Sequence, residues 1–229
     1  VVGSGQVIEG RPYQFRHCGL VPRERFERFP SIPPLRSEYN YEEASWVLNY
    51  ASRYRSNEAD VTVTCSYPFT NWMLTRRPFF GRKPAHIFVT QNGDWPAYSD
   101  KAEYALFRCD GLVCTNPEYY DRNRMRWPST LIPNGTNPEK FCPGPPARAR
   151  LGLPPSGPLV LMVSALVESK RVLEGLRAVA RIPACNLVVA GDGPLRDQFD
   201  ALGSRLMPGR FRRMTLPLED MPDLYRSAD

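Results

Sequence analysis

Histidine and lysine are scarce in this chain, and the first shortage excludes a class of function. Only His17 and His86 supply imidazole in 229 residues. The six cysteines (Cys18, Cys65, Cys109, Cys114, Cys142 and Cys185) include no C-x-x-C pair. A zinc site is therefore not expected, and no other metal-ligand cluster stands out. Several cysteines lie in apolar runs, as buried thiols do. A chain of this length does not need disulfides, so a reducing, cytoplasmic setting is expected. No apolar run approaches the roughly 18 residues that a membrane span takes, and no signal-peptide pattern is seen. Internal repeats and low-complexity tracts are also missing.

Arginine and proline are plentiful instead. Lys83, Lys101, Lys140 and Lys170 are the only lysines among 30 basic residues. Arginine suits bidentate contacts to phosphate and carboxylate. The net charge is +6, but the basic residues are interspersed with acids, so a dedicated nucleic-acid surface is not favoured. Many of the 24 prolines gather in loops, at 30–34, 143–146 and 154–158. Hydrophobic content of 42% and charged content of 24% are those of a globular protein.

The second half carries the clearer pattern. "PLVLMVS" (158–164) and "NLVVA" (186–190) are short continuous apolar runs of strand length, and "FRRMTL" (211–216) is a weaker one. Between and after them, 170–182, the stretch from Pro194, and 221–229 place apolar residues at helical spacing. Alternating β and α elements call for a parallel sheet, with ligands at the carboxyl ends of its strands. In the first half 60–66, 86–91, 111–115 and 129–133 read as strands, and 42–54 and 101–109 as helices. The fold class expected is α/β, with two Rossmann-like parallel-sheet domains. The first is expected over 1–145 and the second over 158–229, joined by a Pro/Gly-rich linker at 146–157. Both ends look cut, as in a fragment of a longer protein.

One turn raises a specific question. "LVVAGDGPLRDQF" (187–199) runs from a strand through Gly191 and Gly193 towards a helix. Such glycines let the backbone bend and approach a guest. A helix from Pro194 would aim its free N–H groups at an anion. The same pair of glycines serves equally well for tight packing alone. The third glycine of a dinucleotide fingerprint is missing, which argues against a nicotinamide enzyme.

Four segments in this order, "LIPNGTNPEKF" (131–141), "VSALVESKRV" (163–172), "AGDGPLRD" (190–197) and "MPDLYRSAD" (221–229), resemble the GT-B glycosyltransferases of family 4. The resemblance is clear over 58–229 and loose before that. It implies two domains facing across a cleft, the acceptor on the first and a nucleotide-diphosphate sugar on the second. It also implies a retaining, metal-independent transfer with no further cofactor. Residues carried over to the donor side are Ser164, Ala165, Lys170, Arg171, Gly191, Asp192, Gly193 and Pro194. Lys170 matches the lysine that grips the diphosphate, and Ala165 stands where the commoner pattern has arginine. On the acceptor side a strand ends in Asn92, Gly93, Asp94 and Trp95. Asp94 is a candidate catalytic group beside Lys170, and Trp95 a candidate stacking platform. The alternative there is an Asx-type turn. Many family members have a histidine near Asn92, and this chain has none. The family's glycine-rich opening loop and its pair of C-terminal glutamates are not in the sequence either. Asn116, Tyr67 and Arg196 are weaker candidates with structural roles as the alternative. The partners implied are a nucleotide sugar and a glycan, lipid or small-molecule acceptor, with peripheral membrane contact open. Two other readings stay open, a nucleotide-sugar epimerase on the same fold and a binding module without catalysis.

Overall fold

The computed structural model describes residues 1–6, 9–76, 81–101 and 104–229. The chain divides into two compact units, Val1–Gly135 and Thr136–Asp229.

In the first unit β1 (Val2–Gly3) pairs in parallel with β2 (Arg16–His17). Helix α1 (Glu38–Ala51) follows an extended Ser37. Strand β3 (Val61–Thr64), helix α2 (Phe69–Thr75), strand β4 (Ala85–Val89), helix α3 (Trp95–Tyr98), strand β5 (Gly111–Cys114), helix α4 (Pro117–Asn123) and strand β6 (Ser129–Leu131) come next. The last four strands form one parallel sheet in the order β3-β4-β5-β6. Its core is largely aromatic. Phe107 stands edge-on to Phe88 at 5.1 Å and to Trp127 at 5.3 Å, with Leu112 and Cys114 buried in the same cluster.

His86, fully buried on β4, has a complete set of partners. Asn71 Nδ2 lies 3.3 Å from Nε2, and Thr62 Oγ1 lies 2.9 Å from Nδ1. The neutral ring with its proton on Nδ1 satisfies this arrangement, since the amide donates to Nε2. Burial pushes the His86 pKa down to about 4, so the ring stays neutral. The helix expected over 101–109 falls partly on residues outside the described ones; Tyr104 is 3-10 helical and 105–109 form a turn and a coil.

The second unit is built from β7 (Leu159–Val163), α5 (Val172–Val179), β8 (Asn186–Ala190), α6 (Arg196–Leu206), β9 (Phe211–Met214) and α7 (Met221–Arg226). Its sheet is parallel in the order β7-β8-β9. Central β8 is covered on both faces, which is why its sequence is a continuous apolar run rather than an alternating one. Leu187 and Val189 join a cluster with Val172, Leu176, Phe199 and Leu202. Val188 and Ala190 join another with Leu151, Leu153, Leu159 and Leu224.

The division between units falls ahead of the expected linker, and 146–157 belongs to the second unit. Leu151 and Leu153 are core residues there. Arginines fasten the surrounding segment. Arg148 Nε donates to Ser227 O at 2.9 Å, and its Nη2 meets Asp229 at 2.7 Å. Arg150 bridges Asp220 and Asp223 at 2.7 and 2.6 Å, and Arg226 donates to the carbonyls of Cys142 and Lys140 at 2.8 and 3.1 Å. These partners are distant in sequence, so no local period announces the packing. Among the described residues no helix is long and apolar enough to cross a membrane.

Candidate functional site

In the second unit the loops leaving β7 and β8 interlock at the carboxyl ends of their strands. Leu166 N–H donates to Asp192 O at 2.9 Å, and Leu195 N–H returns to Leu166 O at 3.0 Å. Both glycines are required by this contact. A Cβ on Gly191 would lie 1.9 Å from Ser164 O, and one on Gly193 would lie 2.6 Å from Leu166 O, with φ of +156° besides. The packing role of the pair is therefore present in the chain whatever it binds.

The turn also holds its own amides. Gly191 N–H donates to Met214 O at 3.1 Å and Gly193 N–H to Asp192 Oδ1 at 2.8 Å. Arg196 N–H closes back onto Gly193 O at 3.0 Å. Helix α6 accordingly begins at Arg196, two residues after the proline expected to open it. Pro194 and Leu195 form a turn because Gly193 leaves the helical region. Of the N–H groups expected to be free from Pro194 onward, that of Leu195 is taken by Leu166 O and that of Arg196 by Gly193 O. Arg196 is paired with Asp197 at 3.1 Å.

Lys170 ends a 3-10 turn (Glu168–Lys170) that follows the β7 loop. It is exposed, and no ion-pair partner for it occurs among the described residues. Arg171 then adopts φ of +51°, a left-handed conformation uncommon for a residue other than glycine, and α5 starts at Val172. The Arg171 guanidinium is exposed and lies 3.6 Å from Glu174. Ser164 Oγ donates to Ala165 O at 3.0 Å. Two exposed cations thus lie between β7 and α5, on the segment whose Leu166 is hydrogen-bonded to Asp192 and Leu195 of the β8 loop.

In the first unit the loops after β4 and β5 are joined through Thr90, whose Oγ1 accepts Thr115 N–H at 3.0 Å. Asn92 is exposed, and Trp95, 40% exposed, folds over Gly93. A Cβ on Gly93 would meet the Trp95 ring at 1.9 Å, and its φ is +115°. Asp94 is held inside the unit. It is only 3% exposed, and its Oδ2 accepts Asn123 Nδ2–H at 2.8 Å with Arg122 Nε at 3.5 Å. The side chain is a tie between α3 and α4 rather than a group presented at the surface. Asn116 caps α4 by accepting Tyr119 N–H at 2.9 Å, and Tyr67 is part of the aromatic core.

A cavity of about 700 Å³ lies elsewhere in this unit, against α1 and β3, and none of the candidate residues lines it. No group of three or more His, Cys, Asp or Glu side chains among the described residues converges to hold a metal ion.

Sequence reading overlooked Arg213 and Asp200. Arg213 Nε lies 2.9 and 3.0 Å from the two Asp200 oxygens, and its Nη1 donates to Gly191 O at 3.3 Å. An arginine within a strand flanked by buried elements was the available signal.

Two α/β units, each with a parallel sheet, define a Rossmann-like class of architecture. Similar solved structures narrow this to the fold of GT-B glycosyltransferases. Sucrose-phosphate synthase from Thermosynechococcus elongatus superposes with a TM-score of 0.70 at 21% identity, over 96% of this chain and 60% of that one. Anabaena HepE, solved in complex with UDP-glucose, gives 0.57 at 14% identity, over 81% of this chain and 55% of that one. WaaG, a glycosyltransferase involved in lipopolysaccharide biosynthesis, gives 0.50 at 16% identity, over 98% and 62%. The chain thus spans about three fifths of the length of these proteins. No protein-family model and no curated protein matches the sequence.

Proposed function

We propose that the chain carries the donor-binding core of a retaining, family 4 type glycosyltransferase. It takes a hexose from a nucleotide-diphosphate sugar to a hydroxyl acceptor without a metal ion. The observation that carries this reading is Lys170, an exposed cation without an ion-pair partner among the described residues, four residues beyond Leu166, which joins the β7 loop to the Gly191–Gly193 turn. As the sugar–phosphate bond breaks, negative charge builds on the diphosphate. Lys170, with Arg171 beside it, meets that charge through charge-assisted contacts. The complex of HepE with UDP-glucose makes a uridine donor the first to try. On the acceptor side Asn92 offers an exposed amide and Trp95 a partly exposed ring for a sugar face.

A second reading, a nucleotide-sugar-binding module without catalysis, is favoured by one finding. Asp94, the carboxylate expected to act at the acceptor, is buried and engaged by Asn123 and Arg122.

Thermal denaturation against UDP, GDP and ADP, each with and without an attached sugar, tests the donor site. A ligand at 100 times its Kd stabilises the folded state by about 2.7 kcal/mol. A rise in Tm with one base supports the site and identifies its donor class. No rise with any of them overturns it. Product analysis with the sugar nucleotide alone, then with added acceptors, separates transferase, epimerase and binding module.

A further inference from the structure

We infer that Arg213 is a positioning residue for the Gly191–Gly193 turn, holding it in the shape that receives the donor diphosphate. The inference rests on the reading above for the identity of the ligand, but not for the brace itself. Two strands and a helix meet at this side chain. Arg213 projects from β9 opposite Val189 of β8. Its Nε faces both Asp200 oxygens on α6 at 2.9 and 3.0 Å, which aims the remaining guanidinium N–H groups. Nη1 donates to Gly191 O at 3.3 Å, while Gly191 N–H is held by the next residue of β9, Met214, through its carbonyl at 3.1 Å. The first peptide groups of the turn are thus fastened to β9 at both donor and acceptor. On the other side Gly191 is pressed against Ser164 O, so a shift of this residue is passed to the loop that leads to Lys170. The Arg213 side chain is 19% exposed, which shields the brace from solvent competition.

Lysine at 213 keeps the charge opposite Asp200 but carries a single nitrogen, which cannot serve Asp200 and Gly191 O with a fixed fork. This separates the two roles. With the complete 229-residue chain, Arg213→Gln and Arg213→Lys are compared with wild type by UDP titration calorimetry and by amide hydrogen exchange. Arg213→Gln is expected to weaken UDP about tenfold and to speed exchange at Asp192, Gly193 and Leu195, with Leu187–Ala190 unchanged. Arg213→Lys is expected to recover the melting temperature but not the UDP affinity or the slow exchange. Recovery of all three by lysine would reduce Arg213 to an ion-pair partner and overturn the inference. Wild-type exchange at the turn in Arg213→Gln would overturn it as well, whichever nucleotide binds. Faster exchange in that variant, in a chain whose wild type binds no UDP, would uphold the brace and bring down the donor reading alone.

Discussion

Gly191→Ala separates two reasons for a glycine at the end of β8. The added methyl would sit 1.9 Å from Ser164 O and 3.0 Å from Ser164 C. Ordinary carbon–oxygen contact lies near 3.4 Å, so the β7 loop must retreat by about 1.5 Å, and close packing gives it little room. The obstacle is backbone, which has no rotamer to change. Retreat would strain Leu166 N–H to Asp192 O and Leu195 N–H to Leu166 O, now 2.9 and 3.0 Å. Overpacking costs about 1–3 kcal/mol, and each weakened hydrogen bond adds about 1 kcal/mol. A loss near 3 kcal/mol is expected, which lowers the Tm of a small domain by more than about 10 °C. Urea unfolding and calorimetry without ligand measure it. Gly135→Ala is the control, because nothing lies within 4 Å of its Cβ position and its φ is not positive. If Gly191→Ala matches wild type within about 0.5 kcal/mol, the packing argument is refuted and the glycine serves ligand approach alone.

Lys170→Ala removes an exposed side chain, so it should leave the melting curve unchanged while weakening the UDP-sugar about 10- to 100-fold, the worth of a charge-assisted contact. Equal affinity in calorimetry would remove Lys170 from the site. Asp94→Asn takes a buried charge from Asn123 and Arg122 and should cost about 1.5–3 kcal/mol in urea unfolding. Its UDP affinity should stay at the wild-type value, and a stable variant would argue against the tie. For His86, the unfolded ring gains its proton near pH 6.5, whereas the folded ring resists it down to about 4. Stability should therefore fall as pH drops through that window, by about 3 kcal/mol in all from this group. An NMR titration that shows the ring protonated at pH 5.5 in the folded chain would contradict it.

Strands were the most legible part of the sequence. The runs at 158–164, 186–190 and 211–216 hold β7, β8 and β9; β8, covered on both faces, is written as an unbroken apolar stretch, whereas the edge strand β9 carries two arginines. The parallel order followed from the alternation of elements. Less legible were features made by contacts far apart in the chain. Leu151 and Leu153 look like stray apolar residues among prolines until β8 and α7 close over them. Asp94 sits in a stretch rich in turn chemistry and shows its buried role only through Asn123, 29 positions on. For Gly191 and Gly193 the sequence left packing and ligand approach as equals, and distances to Ser164 and Leu166 make the first of these a fact.

The arginine fastenings of 136–157 decide where the molecule can be cut. A second unit produced from residue 158 onward would lose Leu151 and Leu153 from its core and strip Asp220, Asp223 and Asp229 of Arg148 and Arg150. One produced from Thr136 carries its own clasp with it. The proline-rich stretch, which looks like spare tether, is a strap sewn to the helix at the far end of the chain. Its length is therefore set by the contacts it makes, and an insertion or deletion there is a change to a folded core.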